Sequence, residues 1–289
     1  MRRPWILRSK LRMPLTLSIV SILTLTIWGF FIEPATLTVK DLTVQIPEWP
    51  EENAGIKLAL LGDLHVGAPF VGLDKLKTIV GRTNDMTPDL VVLLGDYVTR
   101  NVIGGREAAP ENIAERLGEL RAPLGSVAVL GNQDWWLDGP RVREALKSAG
   151  ITVLENGVVR IDRAPKPFWL AGLNDATRHP DIKGALEKIK GDEPVILLSH
   201  NPDVFPQVPE RVSLTLAAHT HGGQVLLPLL GRLIVPSTYG QRYAAGLVEE
   251  GGRQLFVTTG IGTSIIPVRF RVPPELVIVT LIKRRQAAR

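Results

Sequence analysis

The sequence predicts a layered α/β domain that follows one N-terminal apolar helix. Short apolar runs recur along the chain and end in turn-forming residues, which is typical of strands buried on both faces of a sheet. Helix-like segments separate several of these runs, and such alternation favours a layered α/β architecture. One earlier run, residues 13–32, carries no charged residue. A length of 289 residues suits one large domain.

The apolar run at residues 13–32 is long enough to cross a membrane once. A helix of about 20 residues spans about 30 Å of hydrocarbon, and Pro14 suits its first turn. The basic residues of segment 1–12 predict that this segment stays in the cytoplasm, with residues 33–289 on the other side of the cell membrane. These residues are Arg2, Arg3, Arg8, Lys10 and Arg12. A cleaved signal peptide and a buried core helix are the alternatives.

Composition narrows the function classes. The formal net charge is +5, but segment 1–12 alone supplies five positive charges, so the remaining chain is neutral overall. We therefore do not expect nucleic-acid binding by charge. The chain has no cysteine, which excludes disulfides, thiolate metal sites and a cysteine nucleophile. Nothing in the sequence implies a partner protein.

The predicted strands and helices follow one another along the chain. An alternating stretch, 37–44, predicts the first strand. Apolar runs predict the later strands at 56–61, 90–94, 127–130, 194–198, 214–218, 255–259 and 276–282. Helix-like segments lie at 72–84, 110–121, 139–149 and 180–190. The last third, from residue 224, is richer in glycine, proline and β-branched residues.

Polar motifs directly follow five of the predicted strands. The carboxyl ends of neighbouring strands meet at one edge of an α/β sheet, so these side chains are expected to converge. In Asp63-Leu64-His65 and His219-Thr220-His221, one intervening residue would turn both outer side chains to one side of an extended backbone. Carboxylate, imidazole and amide groups together can hold two divalent cations. The candidate metal ligands are Asp63, His65, Asp96, Asn132, His200, His219 and His221.

In this order the motifs resemble the calcineurin-like metallophosphoesterase superfamily, in particular a membrane-anchored or exported bacterial branch. The resemblance implies a four-layer α/β/β/α sandwich and a phosphoric ester hydrolase with two divalent metal ions. Mn²⁺ is the expected ion, with Fe, Zn or Mg as alternatives. Asp96 would bridge the two sets of ligands that the resemblance implies: Asp63, His65, Asp96 and His221 for one ion, and Asp96, Asn132, His200 and His219 for the other.

One position departs from the family. Where a histidine usually donates a proton to the leaving group, this chain has Gln133, which cannot transfer a proton near neutral pH. Asn132 and His200 would still help to hold the phosphate. His179 is the only histidine outside the motifs; it is either a substitute acid or a surface-loop residue.

These observations favour a phosphodiesterase or pyrophosphatase whose substrates have good leaving groups. Because the predicted helix would keep the enzyme at a surface, a phospholipid or lipid-linked nucleotide sugar is an attractive substrate, although a soluble phosphodiester is also compatible. The alternative function is a metal-binding sensor or scaffold that retained the ligands and lost the acid at Gln133.

Overall fold

The computed structural model describes the backbone of residues 5–284 and the side chains from residue 16 onward. The side chains of the predicted basic segment, 1–12, lie outside the described residues. The strands are β1 (Thr38–Ile46), β2 (Ile56–Leu61), β3 (Leu90–Leu93), β4 (Ser126–Ala128), β5 (Thr152–Val153), β6 (Gly157–Ile161), β7 (Phe168–Gly172), β8 (Val195–Leu198), β9 (Leu214–Ala217), β10 (Leu226–Leu227), β11 (Gly231–Arg232), β12 (Gly246–Glu250), β13 (Arg253–Val257) and β14 (Glu275–Lys283). The α-helices are α1 (Trp5–Ile27), α2 (Leu73–Asp85), α3 (Pro110–Leu117), α4 (Asn132–Ser148) and α5 (Ile182–Leu186).

The strands form two six-stranded sheets and one small hairpin, β10–β11. The first sheet has the order β1-β14-β2-β3-β4-β5, and the second has the order β12-β13-β9-β8-β7-β6. Strands β2 to β5 are parallel, as are β7, β8, β9 and β13. The carboxyl ends of these central strands therefore share an edge within each sheet.

Alternation along the strands explains how the sheets stack. In β2, Leu58 and Leu60 point into the core between the two sheets, whereas Ala59 and Leu61 pack in the core that includes α2, α3 and α4. A third core lies on the outer face of the second sheet, where residues of α5 and of the turn Pro202–Gln207 pack. The order of layers is therefore helix, sheet, sheet, helix, which confirms the expected four-layer sandwich.

Three helices differ from the expected ranges. Helix α4 begins at Asn132 instead of residue 139, because it continues through a kink at Asp138 (φ −172°, ψ 84°) just before Pro140. Helix α3 ends at Leu117 instead of residue 121. In the range 180–190, only Ile182–Leu186 is α-helical.

The N-terminal helix also begins before the expected position. Helix α1 starts at Trp5, so the prediction that Pro14 lies in its first turn was wrong. The helix then widens into a π-helical turn, Trp28–Ile32, followed by a 3-10 turn, Glu33–Ala35. Within the described part of the chain, this is the single helix that is long and apolar enough to cross a membrane.

The core between the sheets gives a direct test of the packing. Leu216 in β9 is fully buried between the sheets, whereas Leu247 at the edge strand β12 is 40% exposed. We expect Leu216→Ala to lower the free energy of unfolding by about 2 to 5 kcal/mol, because the cavity lies where two rigid layers meet. Leu247→Ala is the matched control and should cost less than about 1 kcal/mol. Denaturant titration of the purified full chain measures both; equal costs would contradict this packing.

Candidate metal centre

The predicted ligands come together at the carboxyl ends of the central strands. Asp63 and His65 follow β2, and Asp96 follows β3. His200 follows β8 in the second sheet, and the pair His219 and His221 follows β9. Asn132 is the first residue of α4, shortly after β4. Both sheets therefore contribute to one site.

Six of these residues form two clusters that could each hold a metal ion; all are buried except His219, which is partly exposed. Within each cluster the candidate ligand atoms lie within 4.8 Å of one another. Members of the first cluster are Asp63, His65 and His221; members of the second are Asp96, His200 and His219. In the first cluster, the Nε2 atoms of His65 and His221 are 3.0 Å apart.

Asp96 lies between the two clusters. Its Oδ2 is 3.6 Å from Nε2 of His65 and 3.5 Å from Nε2 of His200. The Oδ1 of Asn132 is 3.2 Å from the same His200 Nε2. The roles expected for Asp96, as the bridge between two ions, and for Asn132, as a ligand of the second ion, stay predictions.

A backbone carbonyl fixes the orientation of His200. The ring Nδ1 lies 2.8 Å from the carbonyl oxygen of Leu94, so an Nδ1–H donated to that oxygen leaves Nε2 facing the cluster. Such an outer hydrogen bond selects the tautomer that a metal needs. Burial alone would lower the pKa of His200, but the Asp96 and Asp63 carboxylates outweigh it and raise the pKa to about 10.

The two buried carboxylates differ in their surroundings. Burial raises the pKa of Asp63 to about 7, even though the backbone N–H of His219 donates to both of its oxygens, at 3.0 and 3.1 Å. Burial would also raise the pKa of Asp96, but the neighbouring histidines, His200 first among them, hold it at about 2.

The remaining imidazoles suit metal coordination. Burial lowers the pKa of His65 and of His221, and it lowers that of His219 to about 4, so all three rings are neutral near pH 7. Nδ1 of His65 is buried without a hydrogen-bond partner among the described residues. Neutral imidazoles beside carboxylates are a donor set for borderline divalent metals. The two clusters therefore imply divalent metal ions.

Strand alternation does not orient the paired ligands, so the expectation of an extended backbone at these pairs was wrong. The backbone at Asp63 and His65 is left-handed, with φ of 50° and 43°, and not extended. The same holds for His219 and His221, with φ of 72° and 50°. The second pair also separates, because its two rings belong to different clusters. Tight turns, and not strand alternation, direct these side chains.

Gln133 occupies the first turn of α4 beside the centre. Its backbone N–H donates to Oδ1 of Asp96 at 2.8 Å. Its side-chain Oε1 accepts the backbone N–H of Arg100 at 2.6 Å, and its Nε2 lies 3.5 Å from Oγ of Ser264. The carbonyl end of the amide is therefore engaged, and its remaining polar group is a donor.

Asp134 has a structural role that the sequence reasoning missed. One of its carboxylate oxygens accepts the backbone N–H groups of Asp96 and Gly131, both at 2.8 Å, and the other accepts that of Tyr97 at 2.9 Å. These bonds join the end of β3 to the start of α4. The Gly-Asn-x-Asp spacing was the available signal, because an acid at the third helical position often caps a helix.

Arg269 is the second missed residue. It is fully buried, and its guanidinium donates to the backbone carbonyls of Gly262, Thr259 and Val272. Its Nη2 also lies 3.5 Å from Nδ1 of His221. It thus ties the loop after β13 to the first cluster. His179, in contrast, lies exposed in a surface loop.

The pKa shifts predict that metal binding releases protons. Without an ion, His200 holds a proton at pH 7 because its pKa is about 10, and Asp63, with a pKa of about 7, is partly protonated. Both protons must leave before these groups coordinate a cation. We therefore expect the affinity for Mn²⁺ to rise at least about tenfold per pH unit between about pH 6 and 8.

Titration calorimetry in two buffers of different ionisation enthalpy counts the released protons directly. His179→Ala is the control, because that exposed side chain lies outside the clusters, and it should leave the proton count unchanged. An affinity that does not change between the two pH values would contradict this electrostatic description.

Comparison with known proteins places the chain in a family. The family model described as calcineurin-like phosphoesterase matches residues 56–223. The chain is 32% identical over 255 residues to the metallophosphoesterase YkuE of Bacillus subtilis (strain 168), covering 87% of each chain. It is also 32% identical over 240 residues to phosphodiesterase YaeI of Escherichia coli (strain K12), covering 80% of this chain and 84% of that protein.

A vertebrate protein is similar over most of the chain as well. The transmembrane protein with metallophosphoesterase domain of Danio rerio is 32% identical over 282 residues, which cover 92% of this chain and 62% of that protein. The family-model match, residues 56–223, includes all the candidate ligands from Asp63 to His221. The chain therefore belongs to the calcineurin-like phosphoesterase family and is a hydrolase that acts on phosphoester bonds.

Proposed function

We propose that the chain is a membrane-anchored phosphodiesterase or pyrophosphatase with a binuclear metal centre. The observation that carries this proposal is the position of Asp96, whose Oδ2 lies at nearly equal distance, 3.6 and 3.5 Å, from one histidine nitrogen of each cluster. A carboxylate shared in this way suits two neighbouring cations, which are a frequent means of cleaving phosphoesters.

The ligand sets follow the two clusters, with Asp96 in common. One ion would be held by Asp63, His65, Asp96 and His221, and the other by Asp96, Asn132, His200 and His219. When bound, two divalent cations, Mn²⁺ being the expected species, supply positive charge that activates water and neutralises the transferring phosphoryl group. The amide of Asn132 would also orient the phosphate, since Asn132 Nδ2 is a donor beside the second cluster. Because Nδ1 of His200 faces the carbonyl of Leu94 and Nε2 faces the ion, His200 would help to hold the phosphate through that ion.

Gln133 would contact the leaving group without protonating it. Because its Oε1 is engaged by the N–H of Arg100, only Nε2 can donate a hydrogen bond to a leaving oxygen. Missing general-acid catalysis costs about 10²- to 10⁴-fold for a leaving group that needs a proton. The preferred substrates would therefore be phosphodiesters or diphosphates whose leaving groups depart as anions.

Helix α1 supports a substrate that is itself in a membrane. Segment 1–12 is basic, which favours a cytoplasmic N-terminus and a catalytic domain, residues 33–289, on the opposite side of the cell membrane. An enzyme held at that surface meets lipid substrates at high local concentration. A phospholipid or a lipid-linked nucleotide sugar fits this setting, and a sensor or scaffold without catalysis is the alternative function.

The acid position can be tested by restoring the histidine. We expect Gln133→His to raise kcat/KM at least about tenfold on an alkyl phosphodiester, and less than about threefold on bis(p-nitrophenyl) phosphate, whose leaving group needs no proton. The assay uses the full chain loaded with Mn²⁺. Gln207→His, at an exposed turn, is the matched control and should change neither rate.

Two outcomes would contradict this part of the proposal. Equal gains on both substrates would show that residue 133 does not act on the leaving group. The scaffold alternative is favoured if the parent chain binds Mn²⁺ but has no metal-dependent turnover above that of Asp96→Asn.

The lipid preference has its own test. In vesicles that contain the full chain, we expect kcat/KM for a phospholipid diester to exceed that for the glycerophosphodiester with the same headgroup by at least about tenfold. Phosphate or headgroup release measures both rates, and Asp96→Asn gives the background. Similar rates for the two substrates would leave a soluble phosphodiester as the better candidate.

A further inference from the structure

Three loops beside the metal centre expose large apolar side chains. Single exposed apolar residues are common on protein surfaces, but a cluster of them marks an interaction site. The relative exposure of the six residues runs from 64% to 106%. We call these six the apolar patch: Ile103, Leu229, Leu230, Leu233, Ile234 and Ile265.

Hydrogen bonds connect the loops that carry the apolar patch. The backbone N–H of Ile103 donates to the carbonyl of Ile265 at 2.9 Å. The N–H of Leu226, at the start of the β10–β11 hairpin, donates to the carbonyl of Phe270 at 2.9 Å, and Nε2 of Gln224 donates to the carbonyl of Ile266 at 3.1 Å. These hydrogen bonds therefore hold the three loops next to one another.

The same loops border the metal centre. The hairpin begins at Leu226, a few residues after His221, and Arg232 in β11 donates to the carbonyl of Gly222 at 2.7 Å. The loop that carries Ile265 also includes Ser264, whose Oγ is 3.5 Å from Nε2 of Gln133. Whatever covers the apolar patch therefore lies next to the reacting groups.

The turns that follow α1 pack directly on residues 269–272, in the same loop as Ile265. The N–H of Arg269 donates to the carbonyl of Gly29 at 2.9 Å, and the N–H of Val272 donates to Oε1 of Glu33 at 2.7 Å. Glu33 Oε2 in turn accepts Nε1–H of Trp28 at 2.7 Å. Gly29 is buried, and a Cβ added there would be in ordinary van der Waals contact with Arg269, Val268 and Phe270.

Exposed aromatic residues lie in the two turns after α1, residues 28–35, which we call the junction. Trp28 and Phe31 in the π-helical turn are exposed, at the end of the helix that could span a membrane. Aromatic side chains concentrate at membrane interfaces, because their rings tolerate both the apolar and the hydrated side. The junction would therefore sit at headgroup level, and the apolar patch is attached to it through only a few residues.

We infer that the apolar patch docks on the lipid surface of the membrane that α1 crosses, so that the loops bordering the metal centre rest on the bilayer. This inference rests on the proposed function only in taking α1 as a membrane anchor. The occupant is lipid and not another protein, because the junction already holds these loops beside the point where α1 leaves the bilayer. Leucine and isoleucine side chains gain free energy when they leave water for the acyl boundary.

The chain contains no cysteine, so a single introduced cysteine gives a unique label site. Leu230→Cys and Ile234→Cys would carry an environment-sensitive fluorophore in the full chain, reconstituted in vesicles of phosphatidylcholine and phosphatidylglycerol. Asp192→Cys is the control, because Asp192 is exposed just before β8, at the strand end opposite the metal centre. Lipids with spin labels on the acyl chains quench only fluorophores that enter the bilayer.

We expect several-fold stronger quenching and a blue-shifted emission at positions 230 and 234 than at position 192. Equal quenching at all three positions would overturn the inference. A second result would also overturn it: the labels are protected from an aqueous quencher, are not quenched by lipids, and cross-link between copies. That result would assign the patch to a second copy of the chain. This readout needs no catalysis, so it stands apart from failure of the proposed function.

A charged substitution links the patch to turnover. A fluorophore at Ile265→Cys reports whether the loop of residue 265 enters the bilayer. We expect the double variant Leu230→Glu and Ile234→Glu to lower the quenching of this fluorophore by spin-labelled lipids several-fold. The same variant should lower turnover of a phospholipid in vesicles and leave turnover of bis(p-nitrophenyl) phosphate unchanged. Both side chains are exposed, so the variant should fold normally. Unchanged quenching at position 265 would contradict docking through the hairpin.

Discussion

The carboxylate of Asp96 must remain charged where water hardly reaches it, and much of the fold serves this requirement. The residue is 2% exposed, and a buried charge is costly unless hydrogen bonds or opposite charges compensate it. One compensation is the N–H of Gln133 at the start of α4; another is the protonated ring of His200 at the end of β8. Asp134 fixes the backbone of Asp96 itself. The carboxyl ends of both sheets must therefore meet at one point, and the sheet-on-sheet core holds them there.

The same centre concentrates backbone strain. Five candidate ligands have left-handed backbones, a conformation that costs non-glycine residues about 1 to 3 kcal/mol each and persists only where the surroundings enforce it. They are Asp63, His65, Asp96, His219 and His221. Close contacts with glycine help to enforce these turns: a Cβ added at Gly260 would lie 2.6 Å from Cβ of Asp63. The strained turns aim the ligands inward, and the attraction between a cation and two carboxylates would offset the strain. The rigid sandwich and the centre thus depend on each other.

The sequence was sufficient to predict which residues meet, but not the path of the backbone between them. Apolar runs define where strands end, and polar residues placed there must share an edge, so the ligand candidates could be predicted. The turn at Asp63 could not, because it depends on Gly260 and Gly262, which are distant in the chain. Sheet order was also beyond prediction, since β14 enters between β1 and β2 through non-local pairing alone. The burial of Arg269 could not be predicted, because it depends on backbone carbonyls that any residue type could supply. Gln133 could be identified, because it replaces the usual histidine within a motif whose spacing is otherwise kept.

Arg269 contacts both the turn that follows α1 and the first metal-ligand cluster. Its backbone N–H bonds to Gly29 at the end of α1, while its guanidinium bonds to the carbonyl of Gly262, and a Cβ added at Gly262 would lie 2.8 Å from Cβ of His65. Two residues, Arg269 and Gly262, therefore separate Gly29 from the turn that carries the candidate ligand His65. Because interiors packed this closely transmit small displacements, we expect a shift of the turn at Gly29 to reach the first cluster partly through Arg269. The proposed anchor would therefore help to orient the site, and a substrate presented by the membrane would meet the centre in the orientation that this contact sets.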